Sequence, residues 1–187
     1  PQELVTSDPD ALAERRDQLA EEIRYHKFVQ WVFDQQWAAM ADYAAENGVK
    51  LVGDLPIYVA LDSADVWSAP EVFRLDENNQ PTEVAGVPPN PGDDGERWGN
   101  PVCDCDTIRD NDYAWWCQRF DRLFDQVDIA RIDHFKGFDE FWAIPAEADS
   151  PAAGQWREGP GRDFFDRMRD HLGDLPFLVE DLGFLDE

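Results

Sequence analysis

Three short apolar runs, each closed by acidic residues, set the frame of this 187-residue chain. They are Val49 to Asp54, Asp128 to Asp133, and Phe177 to Gly183, the last carrying Glu180 and Asp181. Stretches of helical period separate them. Strands that alternate with helices run parallel, because the helix carries the chain back across the sheet before the next strand begins. Parallel strands gather functional groups at their C-terminal ends, and here all three of those ends are acidic.

The middle run constrains chemistry most. Ile129, Ala130 and Ile132 suit a strand covered on both faces. Arg131 and Asp133 are two apart, so their side chains leave the strand on the same side. A guanidinium beside a carboxylate favours its ionised form. An ionised, positioned carboxylate at a strand mouth is a candidate nucleophile, and a structural Arg–Asp pair closing the strand is the alternative.

The chain between these runs reads as follows. Ser7, Pro9 and Asp10 form a helix start, with Ser7 as the cap. A helix follows to about Glu22, and a longer one spans about Ile23 to Asn47. Val29, Phe33, Trp37, Met40 and Ala44 recur at three and four residues along it and are expected to enter the core. Gly48 suits its C-terminal cap. Residues 76–107 are rich in Pro and Gly and are expected to be one long loop, with Trp98 marking it as ordered and binding. Asp110 to Gln126 is helical, with Trp116, Phe120, Leu123 and Phe124 inward. Asp139 to Gly161 is expected to hold little regular structure, and Arg162 to Leu172 is a helix stopped near Gly173.

The length suits one domain, 1–187, and a content of 43% hydrophobic residues allows a core. The balance is strongly acidic: 41 Asp and Glu against 16 Lys and Arg, a formal charge of -25. Such a field repels nucleic acid and anionic membrane, which are not expected partners. Acid spread along a lysine-poor chain resembles proteins of salt-loaded cytoplasm, so a halophilic source is expected. Cys103, Cys105 and Cys117 are odd in number and irregular in spacing, as reduced thiols are. No metal and no cofactor is expected. No secretory signal and no apolar run of about 20 residues is present, so a cytoplasmic location is expected. The chain begins without Met, which fits a portion of a longer protein.

Asp133 and Glu180, on neighbouring parallel strands, can face one another across a cleft. Arg131 keeps Asp133 charged, and an apolar setting for Glu180 would favour its protonated form. One ionised and one protonated carboxyl is the division of labour of glycoside chemistry. Asp54 can take sugar hydroxyls, while Tyr58 and Trp98 offer rings for stacking.

Five motifs then stand in order. They are Gly53-Asp54-Leu55-Pro56-Ile57-Tyr58-Val59-Ala60 with Asp62 to Trp67; Ala85-Gly86-Val87-Pro88-Pro89; Arg97-Trp98-Gly99-Asn100-Pro101; Arg131-Ile132-Asp133-His134-Phe135-Lys136-Gly137-Phe138; and Glu180-Asp181-Leu182-Gly183. Together they resemble the 4-α-glucanotransferases, the amylomaltase or disproportionating-enzyme group of glycoside hydrolase family 77. The resemblance runs from about residue 20 to the end. It implies an α/β fold that is part of a (β/α)8 TIM barrel, about its third to fifth strands, with inserted loops. It implies transfer of an α-1,4-glucan segment to the 4-hydroxyl of another glucan with retention, on maltodextrins, starch or glycogen. By that resemblance Asp133 is the nucleophile and Glu180 the general acid and base. Arg131 orients Asp133, Asp54 matches the carboxylate after the third barrel strand, and His134 is supporting. The resemblance places Trp98, with Asn90 and Glu96, in a substrate-covering loop, and together with Tyr58 these are the expected substrate-binding residues.

Two departures accompany the likeness. Asn90-Pro91-Gly92-Asp93-Asp94-Gly95-Glu96 replaces a bulkier family sequence. The family's third catalytic acid, in a His-Asp context after a later strand, is absent, as are its first two strands; a whole barrel needs about 250 residues. The isolated chain is expected to be inactive. A hydrolase of the same barrel class and a non-catalytic glucan-binding module are the alternatives.

Overall fold

The computed structural model describes residues 2–180, so the Asp181 to Gly183 part of the last motif lies outside the described residues. A short helix α1 (Gln2–Val5) precedes α2 (Pro9–Gln18) and the long α3 (Ala20–Glu46). The cap of α2 is Asp8, not Ser7: Asp8 Oδ1 accepts from the backbone N of Asp10 and Ala11 at 3.1 and 2.9 Å. Leu19 alone interrupts α2 and α3. Gly48 closes α3 in the left-handed region, with Val49 N–H donating to Ala44 O and Gly48 N–H to Ala45 O, at 2.9 and 3.0 Å.

Strand β1 (Val52–Pro56) follows, then α4 (Ala64–Ser68) and a single turn at Pro70–Val72. Strands β2 (Glu83–Val87) and β3 (Glu96–Pro101) come next, then α5 (Cys105–Asp110) and α6 (Ala114–Phe124). The remaining elements are β4 (Ile129–Asp133), β5 (Glu140–Pro145), β6 (Gln155–Glu158), α7 (Gly161–Leu172) and β7 (Phe177–Val179).

Two sheets result. The three acid-ended runs form a parallel sheet in the order β1-β4-β7, as their alternation with helices requires. Leu55 pairs with Ile132, Pro56 with Asp133, and Ile132 with Val179. Ala130 and Ile132 are fully buried under α6 and α7, in one cluster with Trp116, Phe120, Phe138, Phe164 and Met168. Phe138 and Phe164 stack at 4.4 Å between ring centroids. The opposite face of β4, carrying Ile129, Arg131 and Asp133, is only half-buried, so the strand is not covered on both faces among the described residues.

The second sheet corrects two expectations. Residues 76–107 are not one long loop, and 139–161 are not irregular: they supply β2, β3, β5 and β6 of an antiparallel sheet in the order β3-β2-β5-β6. At the start of β2, Glu83 is buried between two arginines, accepting from Arg74 Nη1 at 3.0 Å and Arg157 Nη2 at 2.6 Å. Burial pushes the Glu83 carboxyl up, but the hydrogen bonds and charges of Arg157 and Arg74 outweigh it and hold it below the usual carboxylate range.

The apolar stripe of α3 is a third correction. Only Ala44 is buried; Val29, Phe33 and Met40 are exposed, and so are Tyr25, Phe28, Trp31 and Tyr43 around them. Trp37 is the exception, half-buried and donating Nε1–H to Gln126 O at 2.7 Å. Helical periodicity identifies a face that wants cover, and the described residues cover only its Trp37–Ala44 edge. No helix among the described residues is long and apolar enough to cross a membrane.

Candidate active site

The parallel register brings the acids together. Asp54 on β1 and Arg131 on β4 are direct cross-strand partners. Arg131 Nη1 donates to Asp54 Oδ1 at 2.6 Å. Its Nη2 reaches Asp133 Oδ1 at 3.3 Å and also contacts Glu180 Oε1, just beyond β7. One planar guanidinium thus serves three carboxylates from three adjacent strands, which a point-charge ammonium has no geometry to do. The hydrogen bond that Arg131 donates to Asp54, with the charges of Asp54, Glu180 and Asp133, raises Arg131 above its ordinary value.

Glu180 differs from the expectation of apolar surroundings. One of its oxygens meets Arg131, and the other accepts the backbone N–H of His134 at 2.8 Å. Glu180 lies one residue past the end of a strand hydrogen-bonded to β4, and that adjacency brings it to the Arg131 and His134 donors.

His134 turns the chain immediately after Asp133 with φ 54 and ψ 47, a left-handed conformation that costs free energy outside glycine and clusters at functional sites. The turn aims its N–H at Glu180. Its ring packs edge-on to Trp98 at 4.9 Å and lies 5.9 Å from Tyr58. Burial pushes the imidazole below its ordinary value, against the pull of Asp133 and Glu180. The Tyr58 hydroxyl is pushed well up by burial and by Cys103 and Cys105, so it is a neutral phenol.

These rings and the nucleophile candidate enclose a cleft of about 420 Å³ lined by Pro56, Tyr58, Trp98, Asn100, Asp133 and His134. Glu96 stands outside the lining and accepts Trp98 Nε1–H at 2.6 Å, which fixes the indole. Asn90 sits at the tip of the β2–β3 hairpin, facing Asp93, with its amide against Pro88 O at 3.4 Å; it is not among the cleft residues. Pro56 and Asn100 line the cleft without having been singled out from the sequence. Both belong to motifs already noted, Asp54 to Ala60 and Arg97 to Pro101, which was the available signal.

Carboxylates converging at the C-terminal ends of parallel strands, under an aromatic-walled cleft, define an α/β enzyme site of the kind built on barrels. A family model described as 4-alpha-glucanotransferase matches residues 1–187. The chain belongs to this family, glycoside hydrolase family 77. It is 44% identical over 176 residues to a 4-alpha-glucanotransferase of Streptococcus pneumoniae, covering 94% of this chain and 35% of that protein. It is 41% identical over 186 residues to the 4-alpha-glucanotransferase of Thermus thermophilus, covering 99% of this chain and 37% of that protein. The structure superimposes on the amylomaltase from Streptococcus agalactiae in complex with acarbose with a TM-score of 0.95 at 40% identity, over 100% of this chain and 38% of that one. The α/β fold is therefore part of the amylomaltase fold, and the chain spans little more than a third of these relatives.

Proposed function

We propose that the complete polypeptide carrying this chain is a 4-α-glucanotransferase acting on α-1,4-glucans. The observation that carries the reading is that Asp133 and Glu180 each place an oxygen on the same nitrogen, Arg131 Nη2. Carboxyl groups sharing one donor are held close together, which favours a retaining pair over the wider-spaced inverting pair, at about 6.5–9.5 Å. In this reading Asp133 attacks the anomeric carbon as Glu180 gives a proton to the departing glycosidic oxygen, forming a glycosyl ester. Glu180 then takes the proton of the incoming 4-hydroxyl, which displaces Asp133 with net retention. Arg131 hydrogen-bonds and orients Asp133, and Asp54 anchors the far side of the guanidinium. Tyr58 and Trp98 supply sugar-stacking surface. The three parallel strands are an arc of a (β/α)8 barrel whose remaining strands lie elsewhere in the polypeptide.

Incubation of the complete protein with maltotriose tests this. Glucose and longer maltodextrins together are expected, and Asp133→Asn is expected to lower the rate roughly a thousandfold or more. Glucose and maltose without longer products identify a hydrolase. An Asp133→Asn protein as active as the wild type would overturn the assignment.

The charge of -25 supports a salt-loaded cytoplasm as the working environment. The expected result is a melting temperature that rises between low salt and molar KCl; a salt-indifferent one sinks this part of the reading.

A further inference from the structure

The β2–β3 ladder contains an irregularity that serves the cleft. Val84 pairs with Pro101 and Gly86 with Arg97, so the single residue Ala85 stands opposite Trp98, Gly99 and Asn100. The excess residues bulge from the sheet, and Gly99 makes the turn at φ 84, a left-handed conformation that glycine adopts without strain. Bulges re-aim side chains and recur beside active sites. This one delivers both Trp98 and Asn100 to the wall of the cavity that holds Asp133. The base of the bulge is rigid, since Pro101 and Val102 are fully buried directly after it.

The two delivered side chains differ in what they have left to offer. Trp98 has its one donor satisfied by Glu96, so it presents ring surface. Asn100 is half-buried, and its amide makes no hydrogen bond among the described residues. An amide has two N–H donors and a two-lone-pair acceptor, and in Asn100 these stand open to the cleft. A sugar hydroxyl is donor and acceptor together and complements it.

We propose that Asn100 is a substrate-positioning residue that hydrogen-bonds hydroxyls of the glucosyl unit lying against Asp133. This rests on the glucan reading above and adds to it a ligand for the ring at the reaction centre. Trp98 takes the ring face, Asn100 takes its edge, and the pair holds the ring in one orientation towards the Asp133 carboxylate.

The test uses the complete protein with Asp133→Asn, which is expected to bind glucan without turning it over. Maltotetraose affinity is measured by titration calorimetry with and without Asn100→Ala. Loss of a hydrogen-bonded pair is expected to weaken binding about tenfold or more, with the melting temperature unchanged. In the active protein Asn100→Ala is expected to lower kcat/KM for maltotriose by at least as large a factor. Asn100→Leu keeps the side-chain volume without the amide, and carries the same expectation if Asn100→Ala melts early. Affinity and kcat/KM within about twofold of the parent in both variants would overturn the proposal. Failure of the Asp133→Asn protein itself to bind maltotetraose would instead remove the glucan reading, and this assignment with it.

Discussion

Asp54 and Arg131 face one another across the β1–β4 ladder, and the carboxylate accepts the guanidinium Nη1 at 2.6 Å. The pair joins the first of the three parallel strands to the second, with Asp54 standing inside β1, two residues before its end at Pro56. Because the other end of the same guanidinium reaches Asp133 and Glu180, Asp54 fixes the group that orients both. Arg131→Lys should retain the charge and lose the fork, since an ammonium cannot span three carboxylates in one plane. A fall in kcat of roughly a hundredfold with little change in folding is expected in the complete protein. A Lys variant with wild-type kcat would show that charge alone suffices.

Glu83 makes acid sensitivity a property of the second sheet. Its carboxyl lies below its ordinary value in the folded state. Its contribution is therefore full above the unfolded-state value, near 4.5, and is lost as pH falls through the lower folded-state value. Glu83→Gln leaves the partly exposed Arg74 and Arg157 without their carboxylate and is expected to cost about 1–3 kcal/mol at pH 7. Urea unfolding of both proteins at pH 7 and at pH 3 checks the sign. The gap should narrow at pH 3, and an equal gap at both would exclude Glu83 ionisation as the cause.

Gly86 admits the backbone of β3. A Cβ at that position would lie 2.2 Å from Glu96 O and 2.6 Å from Ile144 Cδ1. Gly86→Ala should therefore push β3 off the sheet, at a cost of about 1–3 kcal/mol. Thermal melting together with quenching of the Trp98 region by maltodextrin would report both effects. An unchanged melting curve would mean that the hairpin yields at no cost.

The isolated chain leaves apolar surface uncovered. Val52 on β1, Leu178 and Val179 on β7, and the Tyr25 to Tyr43 face of α3 are exposed. Unpaired strand edges and broad apolar patches promote association. Expressed alone, residues 1–187 should self-associate in sedimentation and should not disproportionate maltotriose. A monodisperse, active chain would contradict the barrel-arc reading.

Much of the candidate site was legible because local chemistry wrote it. Arg131 and Asp133 share a strand face by the two-residue period alone, and alternation of strand and helix requires β1, β4 and β7 to be parallel. The second sheet was not legible. Val84 pairs with Ile144, sixty positions away, and composition rich in Pro and Gly reports local preference only. The α3 stripe was legible as a pattern but not as an outcome, since periodicity does not say what will cover a face.

The sequence by itself determined the three parallel strands carrying acids, the Arg131–Asp133 pair and the family, because these depend on residue type at fixed short spacing; the end of β1, which runs on past Asp54 to Pro56, it did not. Only the tertiary structure decided that one guanidinium serves Asp54, Asp133 and Glu180. It alone decided that a three-against-one bulge carries Trp98 and Asn100 to Asp133. Those relationships are set by the register of strands far apart in the chain, and register is fixed by packing and hydrogen bonding across the sheet, not by any window of the sequence.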